Sequence, residues 1–133
     1  MVKKLEFASD IQNIALVENF VEELRAAYNF GDDAYGNILV CLTEAANNAI
    51  LHGNKNDASK KVAIAAEHDD KHSIVSFTIK DEGPGFDYNN LPDPTSPENL
   101  EKTSGRGVFL IMQLADMVIF SDNGATCEMQ FKV

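Results

Sequence analysis

The 133-residue chain is 44% hydrophobic and carries 11 Lys plus Arg against 21 Asp plus Glu, a net charge of -10. That length suits one domain spanning residues 1–133 around one core, and that charge repels a polyanion over most of the surface, which argues against direct binding to nucleic acid. No apolar run reaches membrane-spanning length, and the N-terminus MVKKLEFASD has no apolar stretch followed by a small-residue cleavage site, so a soluble, cytoplasmic protein with no membrane contact is expected. Cys41 and Cys127 lie far apart without CxxC spacing and read as reduced core residues.

Lys4 to Phe7 (KLEF) reads as a first strand, and Ser9-Asp10-Ile11-Gln12 has capping-box spacing, which predicts a helix starting at Ser9. Ile14, Val17, Val21, Leu24 and Tyr28 recur at three- and four-residue steps, with Leu16 and Phe20 widening the stripe, up to Gly31. Asp32 is expected to cap a second helix, whose apolar face is Tyr35, Ile38, Leu39, Leu42, Ala45, Ala46, Ala49 and Ile50, ending near His52-Gly53. GNKNDASK (53–60) reads as loop. KVAIAAEH (61–68) and SIVSFTIKD (73–81) are β-rich runs split by Asp69-Asp70-Lys71-His72, the pattern of an antiparallel hairpin. Residues 82 to 105 are long, polar and hold all four prolines, as a functional loop would. GRGVFLIMQLA then opens a third helix, and DMVIFSD, Asn123-Gly124 and ATCEMQFKV predict a closing hairpin with an Asn-Gly turn. The order of elements predicts an α/β (α+β) two-layer sandwich, with three helices on one face of a mixed, mostly antiparallel sheet.

Three stretches carry possible chemistry. Glu44 and Asn48 are four residues apart on the second helix and share a face, with His52 a further turn along. An isolated E-x-x-x-N is ordinarily a solvated polar face, but Asn is a poor residue inside a helix, and Asn47 and Asn48 stand together in an alanine-rich segment. Asp81-Glu82-Gly83-Pro84-Gly85 follows a β-run, where its glycines make either an ordinary turn or a close approach of backbone to a flat ligand. Ser104-Gly105-Arg106-Gly107 precedes an apolar helix, whose free N–H groups and dipole suit an anion such as phosphate.

The stretches EAANNAILHG, DEGPGFD and SGRGVFLI, in this order, resemble the N box and the two glycine boxes of the GHKL ATPases, whose ATP-binding domain is the Bergerat fold. Within that superfamily the chain is similar to the anti-sigma-factor serine/threonine protein kinases. The resemblance implies that Asn48 ligates Mg2+, that Glu44 is the catalytic base, and that Asp81 accepts a hydrogen bond from the adenine amino group. It further implies that Gly83 and Gly85 shape the base pocket, that Gly105 and Gly107 present backbone to the phosphates beside Arg106, and that Thr126 supports the base from the sheet. Lys102 and Arg106 are the nearest cations to those phosphates, and residues 87–104 would form a lid.

The implied function is an ATP-binding anti-sigma regulatory protein that phosphorylates a small antagonist protein, binds a sigma factor and forms a homodimer. The alternative is an ATP-dependent binding module with little or no kinase activity. One departure bears on that choice: kinases of the subgroup carry an arginine on the first helix where this chain has Glu18, and Arg25 is two turns away. Other nucleotide motifs are missing, since there is no GxxxxGK[ST] and VAIA at 62–65 lacks the lysine of VAIK.

Overall fold

A computed structural model describes residues 2–84 and 106–133. Gly85, Lys102, Gly105 and the expected lid at 87–104 lie outside the described residues. Strand β1 (Val2–Ala8) leads through a 3-10 turn (Ile11–Asn13) into helices α1 (Ile14–Tyr28) and α2 (Asp32–Asn48), and a π turn (Ala49–Gly53) extends α2. Strands β2 (Lys61–Asp69) and β3 (Ile74–Lys80) follow, then helix α3 (Arg106–Leu114), strand β4 (Met117–Ser121), a 3-10 turn (Asp122–Gly124) and strand β5 (Thr126–Lys132).

The five strands form one sheet in the order β1-β2-β3-β5-β4. Every described pair is antiparallel, so the parallel pairing that a mixed sheet requires is absent among the described residues. Strand alternation sets the two faces: Val62, Ile64 and Ala66 of β2 are buried while Ala63 and Ala65 between them are only half-buried. Val75, Phe77 and Ile79 of β3 and Cys127, Met129 and Phe131 of β5 continue the buried face. Onto it pack Val17, Val21 and Leu24 of α1, Ile38, Leu42 and Ala46 of α2 and Ile111 of α3, which gives the two-layer α+β sandwich. Phe77 and Phe131 meet edge to face at its centre, with ring centroids 5.9 Å apart.

Several local expectations change. Ser9 does not cap the first helix. Asp10 caps the 3-10 turn that leads into it, its Oδ1 accepting from Gln12 N–H at 3.0 Å, while α1 itself begins after Asn13 without a side-chain cap, and Ser9 is buried. Leu16 is 42% exposed and outside the apolar stripe, whereas Phe20 is buried. Helix α1 ends on Asn29 in a left-handed conformation (φ 55°), so Gly31 is free to serve as the N-cap of α2. Asp32 is therefore not the cap but the first helical residue, where its charge complements the helix dipole and pairs with Arg25. The β2–β3 hairpin forms as expected. The β4–β5 connection is longer than a two-residue Asn-Gly turn, because Ala125 N–H bonds back to Asp122 C=O at 3.1 Å and Thr126 donates to the Asp122 carboxylate at 2.6 Å. Both cysteines are free and buried, as their apolar surroundings suggest.

Candidate functional site

Helix α2 brings the first group of candidates. Glu44 and Asn48 are both half-buried and stand one turn apart on its C-terminal half. After Asn48 the helix widens: Asn54 N–H bonds to Ala49 C=O at 2.8 Å, five residues back, which is π geometry. The wider turn shifts the residues beyond it out of the 3.6-residue register, and His52, which by spacing alone lies a turn beyond Glu44 and Asn48, is exposed. The side-chain oxygen of Asn47 is buried with no hydrogen-bond partner among the described residues. One of the two adjacent asparagines therefore leaves an acceptor unused close to the candidate magnesium ligand.

The end of β3 faces that turn. Asp81 N–H bonds to Ala125 C=O at 3.0 Å, continuing the ladder one step beyond the strand, and Asp81 Oδ1 accepts from Gly83 N–H at 2.8 Å. The approach of the π turn is close. A Cβ on Gly53 would lie 2.4 Å from the Asp81 carboxylate, and one on Gly83 would lie 1.8 Å from the Gly53 carbonyl oxygen. At Gly83 the obstacle is backbone and only glycine fits, whereas a side chain at Gly53 would displace the Asp81 carboxylate. Burial raises the Asp81 carboxyl above the ordinary aspartate range, and the Gly83 N–H only partly offsets this. The result is a half-buried carboxylate whose Oδ2 takes no hydrogen bond from the described residues. It can accept from an amino group laid against the turn.

Thr126 sits beside Asp81, opposite Lys80 in the β3–β5 register, and is buried. Its hydroxyl already donates to Asp122, so toward a ligand it has only acceptor capacity left. Helix α3 starts at Arg106, with Gly107 in its first turn. Arg25, the alternative cation on α1, is taken up elsewhere: it pairs with Asp32 and lies 4.5 Å over the Tyr35 ring, while Tyr35 donates to Glu22.

A divalent cation is tested by the donor set. Asn48 supplies a hard amide oxygen, and among the described residues there is no cluster of three or more His, Cys, Asp or Glu side chains that could hold a metal ion. One oxygen ligand suits Mg2+, which keeps waters and phosphate oxygens as its other ligands. The sequence reading missed Asn54, which the loop composition of 53–60 concealed. It is fully buried, and it bonds to both the sheet and the turn that carries Asp81.

The sequence pattern of the histidine kinase-like ATPase domain matches residues 7–131, and the chain belongs to that family. It is similar to proteins named serine-protein kinase RsbW from Bacillus cereus (strain Q1) and Bacillus thuringiensis subsp. konkukian (strain 97-27). Each is 23% identical over 130 residues, covering 92% of this chain and 79% of the relative. The fold matches a crystal structure of the RsbU and RsbW domains of a Mycobacterium tuberculosis protein, with a TM-score of 0.67, 14% identity, and coverage of 98% of this chain and 31% of that one.

Proposed function

We propose that this histidine kinase-like ATPase domain binds ATP with Mg2+ and transfers the γ-phosphoryl group to a serine or threonine of a small antagonist protein, as a cytoplasmic anti-sigma regulator. The observation that carries this reading is the close pairing of two elements. The half-buried Asp81 carboxylate, walled by Gly53 and Gly83, lies against the end of the same helix that carries Glu44 and Asn48. Relatives named as serine-protein kinases favour the kinase class.

In this reading Asp81 accepts from the adenine amino group, which discriminates against guanine because a carbonyl at that position cannot donate. Gly83 and Gly85 let backbone lie against the base, and Thr126 supports it from the sheet. Gly105, Arg106 and Gly107 offer N–H groups and charge to the phosphates at the start of α3. Asn48 would hold Mg2+, which when bound neutralises phosphate charge. Glu44, one turn from Asn48, orients the incoming hydroxyl and takes its proton. The domain comprises residues 1–133, and its partners are the antagonist, a sigma factor and a second copy of itself.

One observation favours a second reading, an ATP-dependent binding module with little or no kinase activity. Glu18 is exposed where kinases of the subgroup have arginine, and Arg25 is engaged by Asp32 and Tyr35. Isothermal titration and labelled-phosphate transfer to a candidate antagonist separate the two. Under the kinase reading, Glu44→Gln keeps ATP affinity and slows transfer by about a hundredfold or more. If wild-type protein associates with the antagonist only when ATP is present and transfers no label, the binding-module reading holds. Equal affinity for adenine and guanine nucleotides would remove Asp81 from the base pocket.

A further inference from the structure

Asn54 is 0% exposed and uses its whole side-chain amide. Its Nδ2 donates to Ser9 Oγ at 2.6 Å and to Lys61 C=O at 3.0 Å, and its Oδ1 accepts from Glu82 N–H at 2.7 Å. The chemistry of the partners fixes the amide orientation, since a backbone N–H can only donate and a carbonyl can only accept. Its backbone N–H closes the π turn onto Ala49. One residue thus joins the end of β1, the start of β2, the end of α2 and the turn after β3.

The chain reaches this arrangement by a costly route. Lys55 and Asn56, the next two residues, both take left-handed conformations (φ 52° and 58°), which side chains with a Cβ disfavour. Asn56 N–H then bonds to Ile50 C=O at 2.7 Å. Two such residues in succession persist only where the surroundings over-determine them. The bond to Glu82 is what this backbone delivers to the candidate site, because Glu82 lies between Asp81 and Gly83.

We propose that Asn54 is the positioning residue of the base pocket: its Oδ1 clamps the Asp81–Glu82–Gly83 turn against the end of α2 and so holds the Asp81 carboxylate in the orientation that selects the base. The inference rests on the base-recognition role proposed for Asp81. The Ser9 and Lys61 bonds hold the sheet corner together, and of the three bonds of the amide only the one from Glu82 N–H reaches the turn, which the Glu82 carboxylate ties separately to Lys61 N–H. These two arms of the amide can be broken separately.

The experiment compares the intact wild-type protein with Ser9→Ala, Asn54→Ala, Glu82→Pro and Glu82→Ala; Glu82→Pro deletes both the N–H that bonds to Asn54 Oδ1 and the carboxylate that accepts from Lys61 N–H, whereas Glu82→Ala removes the carboxylate alone and is expected to titrate Asp81 as wild type does. Each is read out twice, by carbon-13 NMR titration of the Asp81 carboxyl without nucleotide and by the ratio of GDP to ADP dissociation constants. Ser9→Ala is expected to lower Tm while leaving the Asp81 titration and the ratio within twofold of wild type. Asn54→Ala and Glu82→Pro should free the turn, bring the Asp81 carboxyl down toward the ordinary aspartate range and cut the ratio at least tenfold. Should Asn54→Ala fail to fold, Glu82→Pro decides. The proposal is overturned if folded Asn54→Ala and Glu82→Pro titrate Asp81 as wild type does, or if Ser9→Ala or Glu82→Ala moves it as far as they do. A wild-type protein with no base preference, in which Asn54→Ala still moves the Asp81 titration, supports the clamp and refutes base selection by Asp81.

Discussion

Two aspartates in this protein make the same local motif with opposite consequences. Asp69 at the end of β2 and Asp81 just past β3 each turn a carboxylate oxygen back onto backbone N–H groups two or three residues ahead: Asp69 onto Lys71 and His72 at 3.1 and 3.2 Å, Asp81 onto Gly83 at 2.8 Å. Asp69 is exposed, and its hydrogen bonds to His72 hold its carboxyl below the ordinary aspartate range. Asp81 is pushed the other way by burial. A solvated Asp-turn serves the hairpin; the same turn under Gly53 retains a carboxylate with unused acceptor capacity. What sits above the motif, rather than the motif, makes the candidate site.

Removing the fit between the π turn and the Asp81 turn should have the largest effect. Gly83→Ala places a methyl group 1.8 Å from the Gly53 carbonyl oxygen and should destabilise by about 3 kcal/mol in urea unfolding. Gly36→Ala, in α2 with nothing within 4 Å of its would-be Cβ, should instead stabilise by roughly 0.5–1 kcal/mol. If the two substitutions had equal effects, the closeness of the turns would not constrain the site.

Asp81→Asn sharpens the comparison, because it keeps the acceptor for Gly83 N–H and removes the charge. A raised folded pKa means that the ionised group costs stability above that pKa, and that the cost fades as pH falls to the unfolded aspartate range. The variant should therefore melt higher at neutral pH by on the order of a few degrees. That gain should shrink on acidification, while preference for adenine nucleotides falls. A lower Tm at neutral pH would show that burial is not what acts on Asp81.

The smallest effect belongs to the exposed aspartate. Because the folded pKa of Asp69 is depressed, its stabilisation is present above the ordinary aspartate range and lost as pH falls through the lowered value. His72→Ala should shift Tm by on the order of a degree at neutral pH, with no difference in strong acid, since exposed pairs contribute little. Nucleotide binding should not change. A change would tie the hairpin to the site.

Sequence periodicity made the helices and strands legible because the buried faces of α1, α2, β2 and β3 follow simple periods in the chain. Asn47 and Asn48 stand out as asparagines inside an alanine-rich helix, whereas Glu44 and Asp81 are legible as candidates through the resemblance of EAANNAILHG and DEGPGFD to the boxes of the GHKL ATPases. Asn54 and Ser9 are not, since both stand in polar segments where a buried amide and a buried hydroxyl look like any loop residue. They are 45 positions apart in sequence and pair only in the folded state. Nothing in AILHG signals a π turn either, because its i to i+5 bond exists only where Asn54 is drawn inward.

The two thiols provide a built-in record of how the layers open. Cys41 belongs to α2 and Cys127 to β5, and burial pushes both up to about 12, so neither is reactive as thiolate in the closed protein. Modification by a disulfide reagent then waits on unfolding around each sulfur, and the two rates time separately the loosening of the helical layer and of the sheet. Mass spectrometry of partly labelled molecules would tell whether they come apart together or in sequence.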